Sequence, residues 1–257
     1  MNSIRRIALT RVLTQAGNPA TWSRLDAFLK AHHDDVLGLI SYTSVLICEL
    51  IKNFPKIKHL LHKLLYRLRL VRKPAPATPE PLSQRAQNIA ETFNGIYGYI
   101  VDIRIAQGIF YIVPYIAQFL TDYNTPSKLK TAFSSWQGVD NFLTFFLFGN
   151  YQWLENLAFI LSHDFLPADT DLFLLEKHKK DKSLSASDWY YVYSCALWCA
   201  WNVIANLKLL RKGQVDFNLL CDLILSYHWA LPAGFLDRPT FAIVGFLNTV
   251  TRFKDLL

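Results

Sequence analysis

The chain has 257 residues, 52% hydrophobic and 14% aromatic, and only 18% charged. Soluble domains carry about 25% charged residues, so this balance argues against a fully hydrated surface and for a protein attached to or embedded in a membrane. The formal net charge of +7 calls for an anionic partner, and the cations cluster in one stretch with no interleaved Asn, Gln or Gly to reach bases, which points to lipid headgroups and excludes nucleic acid.

Met1 to Thr14 contains Arg5, Arg6 and Arg11 and no acidic residue. Those arginines interrupt any secretory core, and the composition is that of a flexible basic leader over residues 1–21 or of a mitochondrial transit peptide. After Gly17-Asn18-Pro19, Thr21 or Ser23 is a candidate cap for a first helix, with Asp26 in its first turn. A second helix is expected from Asp34-Asp35, whose charges suit a helix N-terminus. It runs through Val36, Leu37, Leu39, Ile40, Val45, Leu46 and Leu50 to Phe54-Pro55.

Lys56 to Lys73 carries the strongest pattern in the chain. At about 100° per residue, Ile57, Leu60, Leu61, Leu64, Leu65, Leu68 and Val71 fall in one sector, and cations fill the rest. No acidic residue interrupts it, and no apolar run is long enough to span a bilayer. The expected structure is an amphipathic helix over 56–73 opening at Pro55, lying on a membrane. Its seven apolar side chains would insert, while Lys56, Lys63, Arg67, Arg69, Arg72 and Lys73 would hold anionic headgroups. A partner groove and a core-facing helix are the alternatives for the same pattern.

Lys73 to Pro81, KPAPATPEP, reads as a Pro-rich linker. Hydrophobic helices follow over 87–257. Gly95 to Leu120 carries Asp102, Arg104, Gln107 and Pro114, which favours a helix packed in a bundle over a lipid-exposed span. Phe133 to Leu161 contains Asp140, Asn141, Glu155 and Asn156, groups that need internal partners in a helix. The charge run Glu176 to Lys182 reads as a solvated loop. Trp189 to Leu207 has no charge and is the best transmembrane candidate, with Lys208, Arg211 and Lys212 after it. Leu223 to Leu236 and Thr240 to Val250 form a hairpin or one broken span.

No phosphate-cradling glycine pattern, nucleophile elbow or metalloprotease His pair occurs, so the reading is not an enzyme and requires no cofactor. His59 and His62 share a face but sit among cations, which disfavours a metal. Asp169 and Asp171 with Glu176 lack the glycine of a calcium loop. Asp102, Asp140 and Glu155 are read as structural polar contacts. Cys48, Cys195, Cys199 and Cys221 match no zinc or disulfide spacing and read as buried small hydrophobes in a reducing compartment.

Leu25-Asp26-Ala27-Phe28-Leu29, then Asp35-Val36-Leu37 and Ile40-Ser41-Tyr42-Thr43, resembles the opening of the peroxin-11 family of peroxisomal membrane-shaping proteins, nearest its gamma-type members. Lys56 to Lys73 occupies the place of that family's membrane-inserting helix. Tyr151 to Phe159, YQWLENLAF, is similar to its aromatic segment with a glutamate, and Gly245 to Thr251 to its closing small-residue span. The resemblance covers Trp22 to Leu257. His33-Asp34 stands where the family has Gly-Arg, and Asn248 replaces a closing-span glycine. The resemblance implies an all-α peroxisomal membrane protein of residues 22–257 with cytosolic termini, promoting elongation, division and proliferation of the organelle. It implies partners among itself or other peroxin-11-type proteins and the fission machinery. A membrane pore or metabolite carrier of peroxisome or mitochondrion is the alternative, since Asp102, Arg104, Asp140 and Glu155 suit a polar path.

Overall fold

The computed structural model describes residues 19–167, 173–181 and 183–256, and these are all-helical, without a strand. Residues 1–18 of the leader, and Asp169 and Asp171 of the weak calcium-loop pattern, lie outside the described residues. The helices are α1 (Pro19–Arg67), α2 (Gln84–Gln118), α3 (Pro126–Ala132), α4 (Trp136–Ser162), α5 (Glu176–Lys180), α6 (Ala186–Arg211), α7 (Phe217–Trp229) and α8 (Arg238–Leu256). One π-helical turn, Phe119–Tyr123, extends α2.

Short polar side chains set most of the starts. Ser83, Thr125, Ser135, Ser185 and Asp216 each accept a backbone N–H from the first turn of the helix that follows, and Asp237 does so from Thr240. Each such cap satisfies an orphan donor and contributes about 1 kcal/mol. Ser185 and Asp188 form a reciprocal capping box at α6.

Packing closes the long helices into a ring. α1 lies against α2 and α8, α2 against α4, α4 against α6, α6 against α7, and α7 against α8. Inside it, Tyr42, Val45, Leu225, Phe241 and Ala242 form one apolar cluster, and Ala158, Leu161, Leu174, Trp189 and Tyr190 another. Polar residues share the interior: Ser41, Gln152, Asn156, Ser194, Asn202, Ser226 and Asn248 are all buried. Outside, every helix of the ring leaves large apolar side chains uncovered, among them Ile103, Phe110, Phe146, Val203, Leu220, Ile243 and Leu247.

Several expectations change. α1 is two helices merged across a kink, where two or three were expected. His32 interrupts its helical backbone at φ −129° and ψ 26°, where the break before Asp34 was read, but Pro55 lies inside the helix and does not open one. The lost Pro55 N–H costs one rung of the ladder and leaves the chain helical on both sides. Thr21 and Ser23 fall within the helix. Its far end is at Arg67 and not Lys73. Arg69 takes a left-handed φ of 59°, and Arg69 N–H to Tyr66 C=O (3.0 Å) with Leu70 N–H to Leu65 C=O (2.9 Å) closes the helix as a Schellman motif. Leu68, Arg69, Val71, Arg72 and Lys73 therefore lie in the turn beyond the helix.

Trp189 to Leu207 lies in α6, packed between α4 and α7. Ser194 and Asn202 in it are fully buried, and Asn202 donates to Ser226 Oγ at 3.1 Å. Among the described residues, the helix long and apolar enough to cross a membrane is Gln84–Tyr123, and almost none of its most apolar part is covered. Its Arg104 still pairs inward with Asp34 of α1, so α2 faces two ways. The last two apolar pieces form a hairpin. Gly234 turns it at φ 64°, where a Cβ would lie 2.2 Å from the His228 ring, and His228 Nδ1 accepts from Phe235 and Leu236 N–H at 3.0 and 3.1 Å. The charge run is not a free loop, because α5 docks through His178, whose ring stacks on Trp189 at 3.7 Å and hydrogen-bonds to Tyr193.

Candidate functional site: a basic arm and a polar ring interior

No residue from 50 to 89 is buried. The end of α1 and the start of α2 thus run past the ring as a helical hairpin, joined through Arg238, whose guanidinium meets Glu49 at 3.1 Å and also reaches Asn94. Lys58 pairs with Glu80 at 2.8 Å, and His62 Nε2 donates to the Lys73 carbonyl at 3.1 Å, which folds the Pro-rich return against the helix. The Lys58 ammonium, by its hydrogen bond and its charge, holds the Glu80 carboxyl below the usual carboxylate range.

On this arm the apolar arc is sharper than the sequence pattern suggested. Ile57, Leu60, Leu61 and Leu64 fall within about 100° of helix circumference, Leu68 follows them in the closing turn, and all five are exposed, Leu60 by 64% and Leu64 by 52%. The partly covered side carries Ile51, Pro55, His59, His62 and Leu65. Leu65 belongs to that side and not to the uncovered arc. Lys56, Lys63 and Arg67 flank the arc on one edge and Lys58 on the other. Between Leu50 and Ser83 the cations are Lys52, Lys56, Lys58, Lys63, Arg67, Arg69, Arg72 and Lys73, against Glu80 as the one acid. The arm is therefore cationic along its whole length.

The second region is a cavity of about 510 Å³ in the ring, to which all six helices contribute. Arg104 of α2 forms a two-pronged ion pair with Asp34 of α1, Nε to Oδ1 at 2.8 Å and Nη2 to Oδ2 at 3.1 Å. Arg252 of α8 pairs with Asp222 of α7, which also accepts from Asn248 at 2.8 Å. Tyr151 donates to Glu155 at 3.2 Å. Asp140 pairs with Lys208 and Asp102 lies 3.8 Å from His163, so the acidic residues of the apolar helices have the polar neighbours expected of them.

Segments from the opening, the middle and the end of the chain meet here. Asp35, Ser41 and Tyr42 of the opening, Tyr151, Gln152 and Glu155 of the aromatic segment, and Asn248 and Thr249 of the closing span all line the cavity. Gly245 lets Tyr42 pack on α8, for a Cβ there would sit 2.0 Å from the Tyr42 ring. Gly108 likewise admits Gln152, whose Oε1 would lie 2.8 Å from an added Cβ. Sequence reasoning missed this cavity as a unit, since its residues come from six helices spread over more than 200 positions; the scattered polar residues in apolar helices were the available signal. No cluster of His, Cys, Asp or Glu among the described residues could hold a metal ion. In comparisons with known proteins, the chain matches no family model, no curated protein and no solved structure.

Proposed function

We propose that the chain is a non-enzymatic membrane-remodelling protein of the peroxin-11 type. It is embedded through the apolar outside of its ring, and it bends the peroxisomal membrane by laying the arm into one leaflet during elongation, division and proliferation. The observation that carries this is the uncovered arc of Ile57, Leu60, Leu61, Leu64 and Leu68, bordered by cations on a hairpin that buries nothing of its own. A soluble protein would bury such an arc; an anionic leaflet matches both its apolar width and its charge. The arc is about half uncovered, and at about 1.5 kcal/mol per fully buried side chain its immersion contributes about 4 kcal/mol. Each nearby cation adds about 1 kcal/mol at an anionic surface, a contribution that salt screens. Its partners are anionic phospholipid, further copies of peroxin-11-type proteins and the fission machinery.

The test is tubulation of anionic liposomes by the full chain. Leu60→Asp with Leu64→Asp should abolish tubulation at any salt, whereas Lys63→Glu with Arg67→Glu should weaken recruitment and leave tubulation at high protein concentration. Tubulation by the leucine variant would reject the wedge. A second reading, a membrane pore or metabolite carrier, is favoured by the polar cavity inside an apolar-sided ring; conductance across planar bilayers that Arg104→Leu alters would support it.

A further inference from the structure

The protein carries an excess of cations, +7 overall, yet its cavity has the opposite balance: Asp34, Asp35, Glu155 and Asp222 face Arg104 and Arg252. Both guanidinium groups are already held by aspartates, Asp34 and Asp222. Glu155 has the Tyr151 hydroxyl as its hydrogen-bond partner, and Asp35 has His32 at 3.8 Å as its ion-pair neighbour among the described residues. Neither Glu155 nor Asp35 is held by an arginine or a lysine among the described residues. An anion entering this space would meet no free positive group, so the cavity selects against it.

The walls beside Glu155 are aromatic. Tyr151 stacks on Trp198 with ring centroids 5.8 Å apart, and Trp198 on Trp229 at 5.7 Å. Gln152 and Asn248, both over nine-tenths buried residues of the cavity wall, carry side-chain oxygens that accept no hydrogen bond from the described residues. Aromatic faces attract weakly hydrated cations, and carboxylates complete the charge. A metal ion demands several oxygen ligands converging on one point, which the described residues do not provide. An alkylated ammonium keeps its charge spread over methyl groups, costs less to dehydrate, and fits a space of about 510 Å³.

We propose that the ring cavity is a binding site for a small organic cation of the alkylammonium class, with Glu155 and Asp35 as its counter-ions and Tyr151, Trp198 and Trp229 as its aromatic wall. The site is separate from the arm, and its occupancy does not depend on membrane bending. Binding is read on the full chain in detergent by tryptophan fluorescence, with choline chloride as probe and its neutral isostere 3,3-dimethylbutanol as control. The expected result is a saturable change with choline and at least tenfold weaker binding of the isostere. Potassium acetate should produce no saturable change. Glu155→Gln, which keeps shape and removes charge, should weaken choline at least tenfold with the circular dichroism unchanged, and Asp35→Asn should weaken it severalfold. Equal binding of choline and the isostere, a preference for acetate, no saturable choline signal, or unchanged affinity in Glu155→Gln would each overturn the assignment. If Glu155→Gln fails to fold, the comparison of choline with its isostere on the native chain decides alone.

Discussion

The arm and the ring use the same residue types in opposite ways. On the arm, leucines face outward and cations lie beside them with one acid nearby, while in the ring leucine and aromatic groups share the interior with paired charges. The difference shows that an apolar residue in this chain has no fixed address: its place follows from whether a second helix covers its face. In the ring every helix has two neighbours, which pair several of its polar groups, Arg104 with Asp34 and Asn248 with Asp222 among them. Over residues 50–67, α1 is partly covered on one side and uncovered by any described residue on the other, so its surface must suit whatever medium surrounds it.

The sharpest way to break the comparison is one kind of substitution in both places. Leu225→Asp puts a charge at a site 1% exposed within an apolar cluster, and should abolish the cooperative melt, since an unpaired buried charge costs several kcal/mol. Leu60→Asp with Leu64→Asp should leave the melt in place and lower partitioning into anionic liposomes at least about tenfold, since these two side chains supply about 1.7 kcal/mol of the arc's immersion. Cosedimentation and thermal melting, run together, check both. Equal melts for the two variants would remove the distinction between the regions.

Gly245→Ala probes the ring at its closest helix approach. Its Cβ would meet the Tyr42 ring at 2.0 Å, and overpacking of this kind costs about 1–3 kcal/mol, seen as a lower melting temperature without loss of liposome binding. Arg69→Gly sharpens the arm. The left-handed φ of 59° strains arginine and suits glycine, so the change should stabilise the turn by about 0.5–1 kcal/mol after the entropy of glycine is set against it. Slower amide exchange at Leu68 to Leu70 would register it.

The smallest effect is that of pH on the arm. Because Lys58 depresses the Glu80 carboxyl below its ordinary value of 4.5, the stabilisation is fully present above pH 4.5 and is lost as pH falls through the depressed value. Glu80 is fully exposed, so the contribution is small. Its signature is faster exchange of the 68–83 return at low pH, absent in Glu80→Gln.

How much of this was legible in the sequence differs between the regions for a physical reason. The arm is local: a period of 3.6 and a missing acid are visible within eighteen residues, although Leu65 turned out to be partly covered and the end at Arg67 was hidden, because arginine gives no warning of a left-handed turn. Pro55 misled because proline inside a long helix costs only one hydrogen bond when the flanking turns are held by packing. The ring was legible only as an all-helical fold with polar groups in need of partners. That Arg104 would choose Asp34, seventy positions away, or that Asn248 would bind Asp222 where the resembled family has glycine, depends on tertiary pairing that no window of sequence contains. Trp189 to Leu207 was read as the span because it lacks charge; its Ser194 is buried and its Asn202 donates to Ser226 of α7, and the helix long and apolar enough to cross a membrane among the described residues is α2, whose Arg104 had argued against it.

The most direct measurement is the depth of individual arm residues in a bilayer. A peptide of residues 50–73, carrying one tryptophan by Leu64→Trp, Leu65→Trp or His62→Trp, is bound to anionic vesicles containing brominated lipid. The account predicts strong quenching and a blue shift for Leu64→Trp, intermediate quenching for Leu65→Trp and little for His62→Trp, on a helical peptide. Equal quenching at all three positions, or a peptide that stays unstructured on the vesicles, would contradict the claim that the uncovered leucine arc enters the membrane.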